Sequence, residues 1–390
     1  MSLADKLADP PAKPESLGTV DVGPDGGEFR GIKSTEPISD WSHVFRQFNL
    51  DPDEWVVADD TVRMSTWQQS ARSKNGDRDK VQLYAYRASF RRRTAESRAV
   101  AEELASLIKP VRPVKAPHAQ GLPMVVCLAD AQMGKDGPDA DTPEQMDARF
   151  ESALAQVAAM VKARRPSELI IADNGDPVEG ITSSAPNQIA TNTLDFPEQI
   201  RKWQRRLTQT ILTLAPFAGK THIAAVPSNH GEVRNAAGKV GYGDHGLGVA
   251  LTVKDAFEML GSKLDLTFHI PATHHDVVTY VDIADTRVAF FHGHHAKRIE
   301  RIPQWVADQA ASLRSPMRDA TICVHGHFHQ PGYRESRGRC IVSCSMFDPG
   351  SAWYENLTGE YSRPSITTFS IRDKRVFDIR FVEPVEAGEI

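Results

Sequence analysis

Apolar residues change rhythm along this chain near position 123. Downstream, short unbroken apolar runs (MVVCLA at 124–129, LIIAD at 169–173, HIAAV at 222–226) read as strands buried on both faces. Between the first two, Thr142-Pro143-Glu144-Gln145 spells a capping box with proline at the first helical position. Met146, Phe150, Leu154, Val157 and Val161 then recur on one helical face. DFPEQIRKWQRRLTQTILTLA predicts a second long helix, and DHGLGVALTVKDAF a third, capped by Asp244 and His245. DVVTYVDI, TRVAFFH, TICVHGH, RCIVSCS, SITTFSI and RVFDIRF predict further strands. Early β-α-β units followed by a β-rich half imply an α/β fold, a layered sandwich over 123–386 whose two sheets are each covered by helices.

Upstream the texture is different. Residues 1–38 are rich in Pro, Gly and charge without periodicity and read as a disordered leader. Residues 39–109 suit a small α+β module. It would hold a short helix over DWSHVFRQF capped by Asp40, strands over VRMSTWQQ and VQLYAYRASF, and an amphipathic helix over TAESRAVAEELASLIK. Prolines at 110, 113 and 117 forbid a helix over 110–122, which reads as a semi-rigid linker.

Composition narrows the class only slightly. A formal charge of −5 over 390 residues does not mark the whole chain as a nucleic-acid binder. Four cysteines make no disulfide framework, and each is expected buried and reduced. The first residues lack an apolar signal region and no run is long enough to span a bilayer, so a cytoplasmic protein is expected, with no membrane partner.

The chemistry gathers just after strands. Asp130, Asp176, Asn229, His292, His327 and His329 each follow a predicted strand end, where ligands collect in open α/β sheets. Eight of the 14 histidines lie between 274 and 329, which concentrates metal-competent groups in that half. Carboxylates, an amide and imidazoles suit Mn²⁺, Fe or Zn²⁺ better than a thiolate-bound structural metal. His294 and His295 offer alternative registers to His292; His325 competes with His327, but the glycine before His327 favours the latter. His274 and His275 read as solvated loop residues.

Taken in order, DAQ at 130–132, GD at 175–176, SNHGE at 228–232, HGH at 292–294 and GHFH at 326–329 resemble the motif series of the calcineurin-like metallophosphoesterase superfamily. The likeness is to phage-type members and to the superfamily's DNA-repair nucleases. It implies a four-layer α-β-β-α sandwich and two divalent cations, Mn²⁺ first among candidates. Asp130, Gln132 and His329 would serve the first metal, Asp176 would bridge, and Asn229, His292 and His327 would hold the second. A bridging water would attack phosphorus, with Asp176 and His230 as the catalytic residues and His230 giving a proton or hydrogen bond to the phosphate. Two positions depart from the pattern: Gln132 replaces a histidine and Ser228 a glycine. An amide oxygen is harder and a poorer donor than imidazole, so weak binding at the first metal and a bias to Mn²⁺ over Zn²⁺ are expected.

Substrate must be read outside those motifs. YRASFRRRTAESR sets Arg87, Arg91, Arg92, Arg93 and Arg98 beside Tyr84 and Tyr86, a mixture that suits DNA through phosphate neutralisation and base stacking. RKWQRRL at 201–207 is a second basic patch, Arg234 and Lys135 are candidate phosphate contacts, and Glu179 and Glu232 are candidates to orient ligands. Trp353 and Tyr354 are candidates for a cleft wall, and a helix with two or three strands should separate SNHGE from HGH. The reading is therefore a DNA nuclease or phosphodiesterase, compatible with a homodimer and, if phage-encoded, with the host cytoplasm. A phosphodiesterase or phosphatase for nucleotides or cyclic nucleotides, and a catalytically weak binding scaffold, are the alternatives.

Overall fold

The structure is a computed structural model. It describes residues 18–23, 26–38, 40–52, 54–57, 61–72, 78–92, 108, 120–135, 142–181, 192–234, 240–271, 276–313, 315–348, 350, 355–356, 359 and 361–385. The chain divides into two units, Met1–Glu102 and Glu103–Ile390.

In the first unit, β1 (Thr19–Val22), β2 (Gly26–Ser34), β3 (Trp55–Val57), β4 (Arg63–Arg72) and β5 (Arg78–Arg92) form one antiparallel sheet. Strands β2, β3 and β4 all pair with β5, and α1 (Ser42–Gln47) packs against it through Phe45. Two strands thus stand where the sequence suggested a leader. That segment carries few apolar residues, but Phe29 and Ile32 are buried against aromatics contributed from far along the chain. Phe29 lies 4.5 Å from Phe90, ring centre to ring centre. Asp40 accepts the backbone N–H of Ser42, at the start of the expected short helix.

Alternation along β5 settles what its aromatics do. Successive side chains of a strand point to opposite faces. Tyr84, Tyr86, Ala88 and Phe90 therefore face the core, while Arg87 and Arg91 are exposed on the other side. The Tyr86 hydroxyl oxygen accepts the N–H of Ile38, and Arg87 is paired with Glu28. The expected mixed arginine–aromatic platform is not formed by Tyr84 and Tyr86, because adjacent residues of a strand cannot share a face. The side chain of Arg92, all of Arg93 and Arg98, residues 110–119 of the linker, and all of the following amphipathic helix except Ile108 lie outside the described residues.

The second unit is built on two sheets. The first contains β6 (Met124–Leu128), β7 (Glu168–Asp173), β8 (Lys220–Ala225), β11 (Leu266–His269), β17 (Ile366–Arg372) and β18 (Arg375–Val382) in the order β11-β8-β7-β6-β17-β18. Strands β11, β8, β7 and β6 are parallel; β17 and β18 close the edge antiparallel. The second contains β12 (Thr279–Ile283), β13 (Thr286–Phe291), β14 (Ala320–His325), β15 (Gly332–Ser336) and β16 (Arg339–Ser343) in the order β12-β13-β14-β16-β15. Its central β13, β14 and β16 are parallel. A short hairpin, β9 (Glu232–Arg234) with β10 (Val240–Asp244), lies between the third and fourth motifs. Among the described residues five strands and a helix therefore occupy that interval, where two or three strands were expected.

The two sheets share one core, in which Val125, Ile170 and Ala224 meet Val288, Phe290, Ile322 and Val324. Outside the first sheet lie α2 (Pro143–Arg164), α3 (Phe196–Leu214) and α4 (His245–Met259); outside the second lies α5 (Ile302–Ala311). This is the four-layer α-β-β-α sandwich implied by the sequence, and β6 is buried on both faces because helices cover one and the partner sheet the other. Thr142 caps α2 in the expected reciprocal box with Gln145. The basic patch of α3 is split: Arg205 is exposed, whereas Trp203 is buried, Lys202 pairs with Asp147, and Arg206 pairs with Asp147 and Glu151 on α2, its guanidinium 5.6 Å from the centre of the Phe150 ring. Those charges hold two helices together. All four cysteines are free and buried, as expected. Among the described residues no helix is long and apolar enough to cross a membrane.

Candidate metal centre

The loops leaving β6, β7, β8, β13, β14 and β16 converge. The first two are stitched together beyond the sheet, with Asp130 N–H donating to Gly175 O, Gln132 N–H to Asp176 O and Met133 N–H to Pro177 O. This ladder turns Asp130 and Asp176 toward the same point. The backbone is forced to do so: Asp130, Gln132, Asp176, His327 and His329 all have positive φ, between 40° and 73°. Few non-glycine residues adopt that conformation, which costs about 1–3 kcal/mol each where it is strained. Five such residues meeting in one place mark a geometry maintained by surrounding structure.

Two glycines are there for space. A Cβ on Gly175 would lie 2.7 Å from His292 Nδ1, and one on Gly326 2.6 Å from Asp130 Oδ2. Both would displace a candidate ligand.

Asp130, Asp176 and His292 are buried at the floor; Asn229, His230, His327 and His329 are half-buried around it. His292 Nε2 lies 2.8 Å from Asp176 Oδ2 and 3.0 Å from Asn229 Oδ1. Its other nitrogen, Nδ1, is 2.9 Å from the Asn174 carbonyl oxygen. A carbonyl only accepts, so Nδ1 carries the proton and donates it. Nε2 then faces two electron-rich oxygens, a placement satisfied either by a second proton on the ring or by a cation seated among the three atoms. Asp176, His292 and His327 each offer a ligand atom within 4.8 Å of the others. Separations of 2.8–3.0 Å match the ~3 Å edge of a coordination shell with metal–ligand bonds of ~2.1 Å. The donor set fits a divalent cation, and the Asn174 carbonyl supplies the outer hydrogen bond that fixes a ligating histidine.

The ionisation pattern agrees. Burial disfavours charge on His292, but Asp176 and then Asp130 outweigh it and push the imidazole up to about 9. Burial alone would raise Asp176; His292 and His230 instead hold it well below the ordinary carboxylate range. His327 is pushed down to about 4 by burial and by His292. One positive charge is accommodated among these groups.

His230 is arranged differently. Its backbone N–H donates to Asp176 Oδ1 at 2.9 Å, and its Nδ1–H donates to the Glu179 carbonyl at 2.8 Å. Nε2 is left 3.9 Å from Asp176 Oδ2, at the edge of the centre. The turn carrying Ser228 and Asn229 is pinned by Asp244, whose carboxylate accepts the N–H groups of Ser228 and Leu247, the latter as the cap of α4.

On the opposite side, Asp130 accepts the N–H of His327 and lies 3.4 Å from His329 Nε2. His329 Nδ1 is 3.5 Å from Asp348 Oδ2. The Lys135 ammonium donates to Gln132 Oε1 at 2.8 Å and to Asp348 at 2.7 Å. Lys135 is thus engaged by protein groups, and the Gln132 oxygen expected to ligate already accepts from a cation. Asp348, after β16, and the Asn174 carbonyl were not singled out from sequence. Asp348 obeys the same strand-then-acid rule as Asp130 and Asp176, so the signal was present. His325 is buried with its ring stacked on Phe291, and His294 Nε2 lies 3.6 Å from Glu232. The side chain of Arg234, and residues His274, His275, Trp353 and Tyr354, lie outside the described residues.

No protein-family model matches the chain, and no curated protein matches it. Among solved structures it is similar to an archaeal phosphodiesterase, at 11% identity over 66% of this chain and 99% of that one, with a TM-score of 0.32. It is also similar to Vps29 from Entamoeba histolytica in complex with zinc, at 12% identity over 67% of this chain and 98% of that one, TM-score 0.31. Likenesses at this level carry no weight for function.

Proposed function

We propose that this chain is a metal-dependent phosphoester hydrolase whose divalent cation is held by Asp176, Asn229, His292 and His327. The observation that carries the reading is the convergence of Asp176 Oδ2 and Asn229 Oδ1 on a His292 Nε2 whose ring is oriented from behind. A divalent cation there withdraws charge from a phosphoryl oxygen and acidifies water. Asp176 holds the negative charge that retains the ion. His230, fixed through Nδ1–H, presents Nε2 at the rim, where in its imidazolium form it would donate to a phosphoryl oxygen or protonate the leaving alkoxide. A mixed oxygen and nitrogen donor set suits Mn²⁺ well. Asp130 and His329 supply donors for a further ion on the other side of Asp176, with Gln132 the weak member.

A phosphodiester is the proposed substrate class. Arg91 is exposed, as a DNA-binding face requires. The second reading, a small phosphodiester, is favoured by burial of Tyr86 and by the Arg87–Glu28 pair, which remove base-stacking and phosphate-neutralising groups. With Mn²⁺ supplied, bis-p-nitrophenyl phosphate should turn over faster than p-nitrophenyl phosphate. Loss of linear single- or double-stranded DNA, abolished in Asp176→Ala, would assign the nuclease. DNA left intact while the small diester is cleaved would assign the second reading. Exclusive cleavage of the monoester would contradict both.

A further inference from the structure

The first-metal side of the centre carries a positive charge of its own. Lys135 Nζ bonds to Gln132 Oε1 and to buried Asp348, and its side chain is 14% exposed. Gln132 offers one ligating atom, and that atom already faces an ammonium. A divalent ion taking the same oxygen would meet Lys135 across it, with little water to screen the repulsion. Asp348, which holds Lys135, also faces His329, the histidine expected to complete this side. Lys135, Gln132, Asp348 and His329 therefore form one charge-compensated cluster made entirely of protein.

We infer that Lys135 takes over the charge role of the first metal, so that the chain binds one divalent ion tightly. The inference rests on the proposed metal-dependent function and concerns the number of ions. Among the described residues, no lysine pairs with the second metal's groups (Asp176, Asn229, His292, His327). The first metal's groups are reduced to Asp130 and His329 beside the shared Asp176. Lys135 acts through Gln132 and Asp348 and is a positioning residue.

Metal count is the direct readout. Full-length protein stripped by chelator is dialysed against graded free Mn²⁺, and bound manganese is measured by elemental analysis. Wild type should bind one ion tightly per chain and a second at least tenfold more weakly. Lys135→Met should strengthen the second binding step at least tenfold, while Lys135→Arg, which keeps a cation, should retain the wild-type pattern. Cooperative thermal melting establishes that each variant folds; if Lys135→Met does not fold, Lys135→Gln replaces it, neutral but able to hydrogen-bond Asp348. Two wild-type ions of equal affinity, or an unchanged second step in the neutral variants, overturn the role of Lys135 alone. Absence of manganese from the wild type at every concentration overturns the metal-dependent function, and this inference with it.

Discussion

Asp176→Asn is expected to lose tight Mn²⁺ binding and nearly all phosphodiester turnover. Asp176 is the carboxylate nearest His292 Nε2, and its other oxygen accepts the N–H of His230, so one side chain ties the centre to its proton donor. An amide of the same shape keeps the packing but removes the negative charge. Groups that merely orient a ligand typically cost ~10–100-fold in affinity when removed, and a ligating carboxylate should exceed that. If the cation contributes ~3–4 kcal/mol to transition-state stabilisation, turnover falls about 10²–10³-fold. Calorimetric titration with Mn²⁺ and initial rates on bis-p-nitrophenyl phosphate check both. Wild-type manganese affinity in Asp176→Asn would remove this residue from the metal site.

His230→Ala should separate binding from chemistry. The hydrogen bond from His230 to Asp176 Oδ1 is made by the backbone N–H, which alanine keeps, and the imidazole itself stands 3.9 Å from Asp176 Oδ2. Manganese content should stay at the wild-type level. Loss of the donor at Nε2 should lower kcat by ~10²–10⁴-fold, the usual contribution of a general acid. KM should change far less than kcat. The decrease should be smaller for a diester with an acidic leaving group, which needs little protonation. Equal loss for nitrophenyl and alkyl leaving groups would contradict a proton-transfer role and leave hydrogen bonding to the phosphate.

The second unit was legible for a physical reason. Parallel strands covered on both faces are written as unbroken apolar runs, so β6, β7 and β8 stand out, and each polar residue that ends a run stands out with them. Asp130, Asp176 and Asn229 were visible in this way, as was the capping box of α2. The first unit was harder because its order is borrowed. Residues 19–34 have little apolar content of their own, and Phe29 is buried by Phe45 and Phe90, distant in sequence. The expected pairing of Tyr84 and Tyr86 with Arg87 and Arg91 failed on strand parity, because neighbours in sequence lie on opposite faces of β5. The Lys135–Asp348 contact joins residues 213 positions apart, and no local pattern announces it. Gln132 was recognised as a departure, but its consequence depended on a lysine three residues on and an aspartate in another sheet's loop.

Phosphodiester turnover as a function of free Mn²⁺ tests the account most directly. Chelator-stripped wild-type protein should show no hydrolysis of bis-p-nitrophenyl phosphate, and activity should rise and saturate as the first equivalent of manganese binds. Activity that persists unchanged without metal, or a protein that binds manganese and cleaves no phosphoester at any concentration, would contradict it.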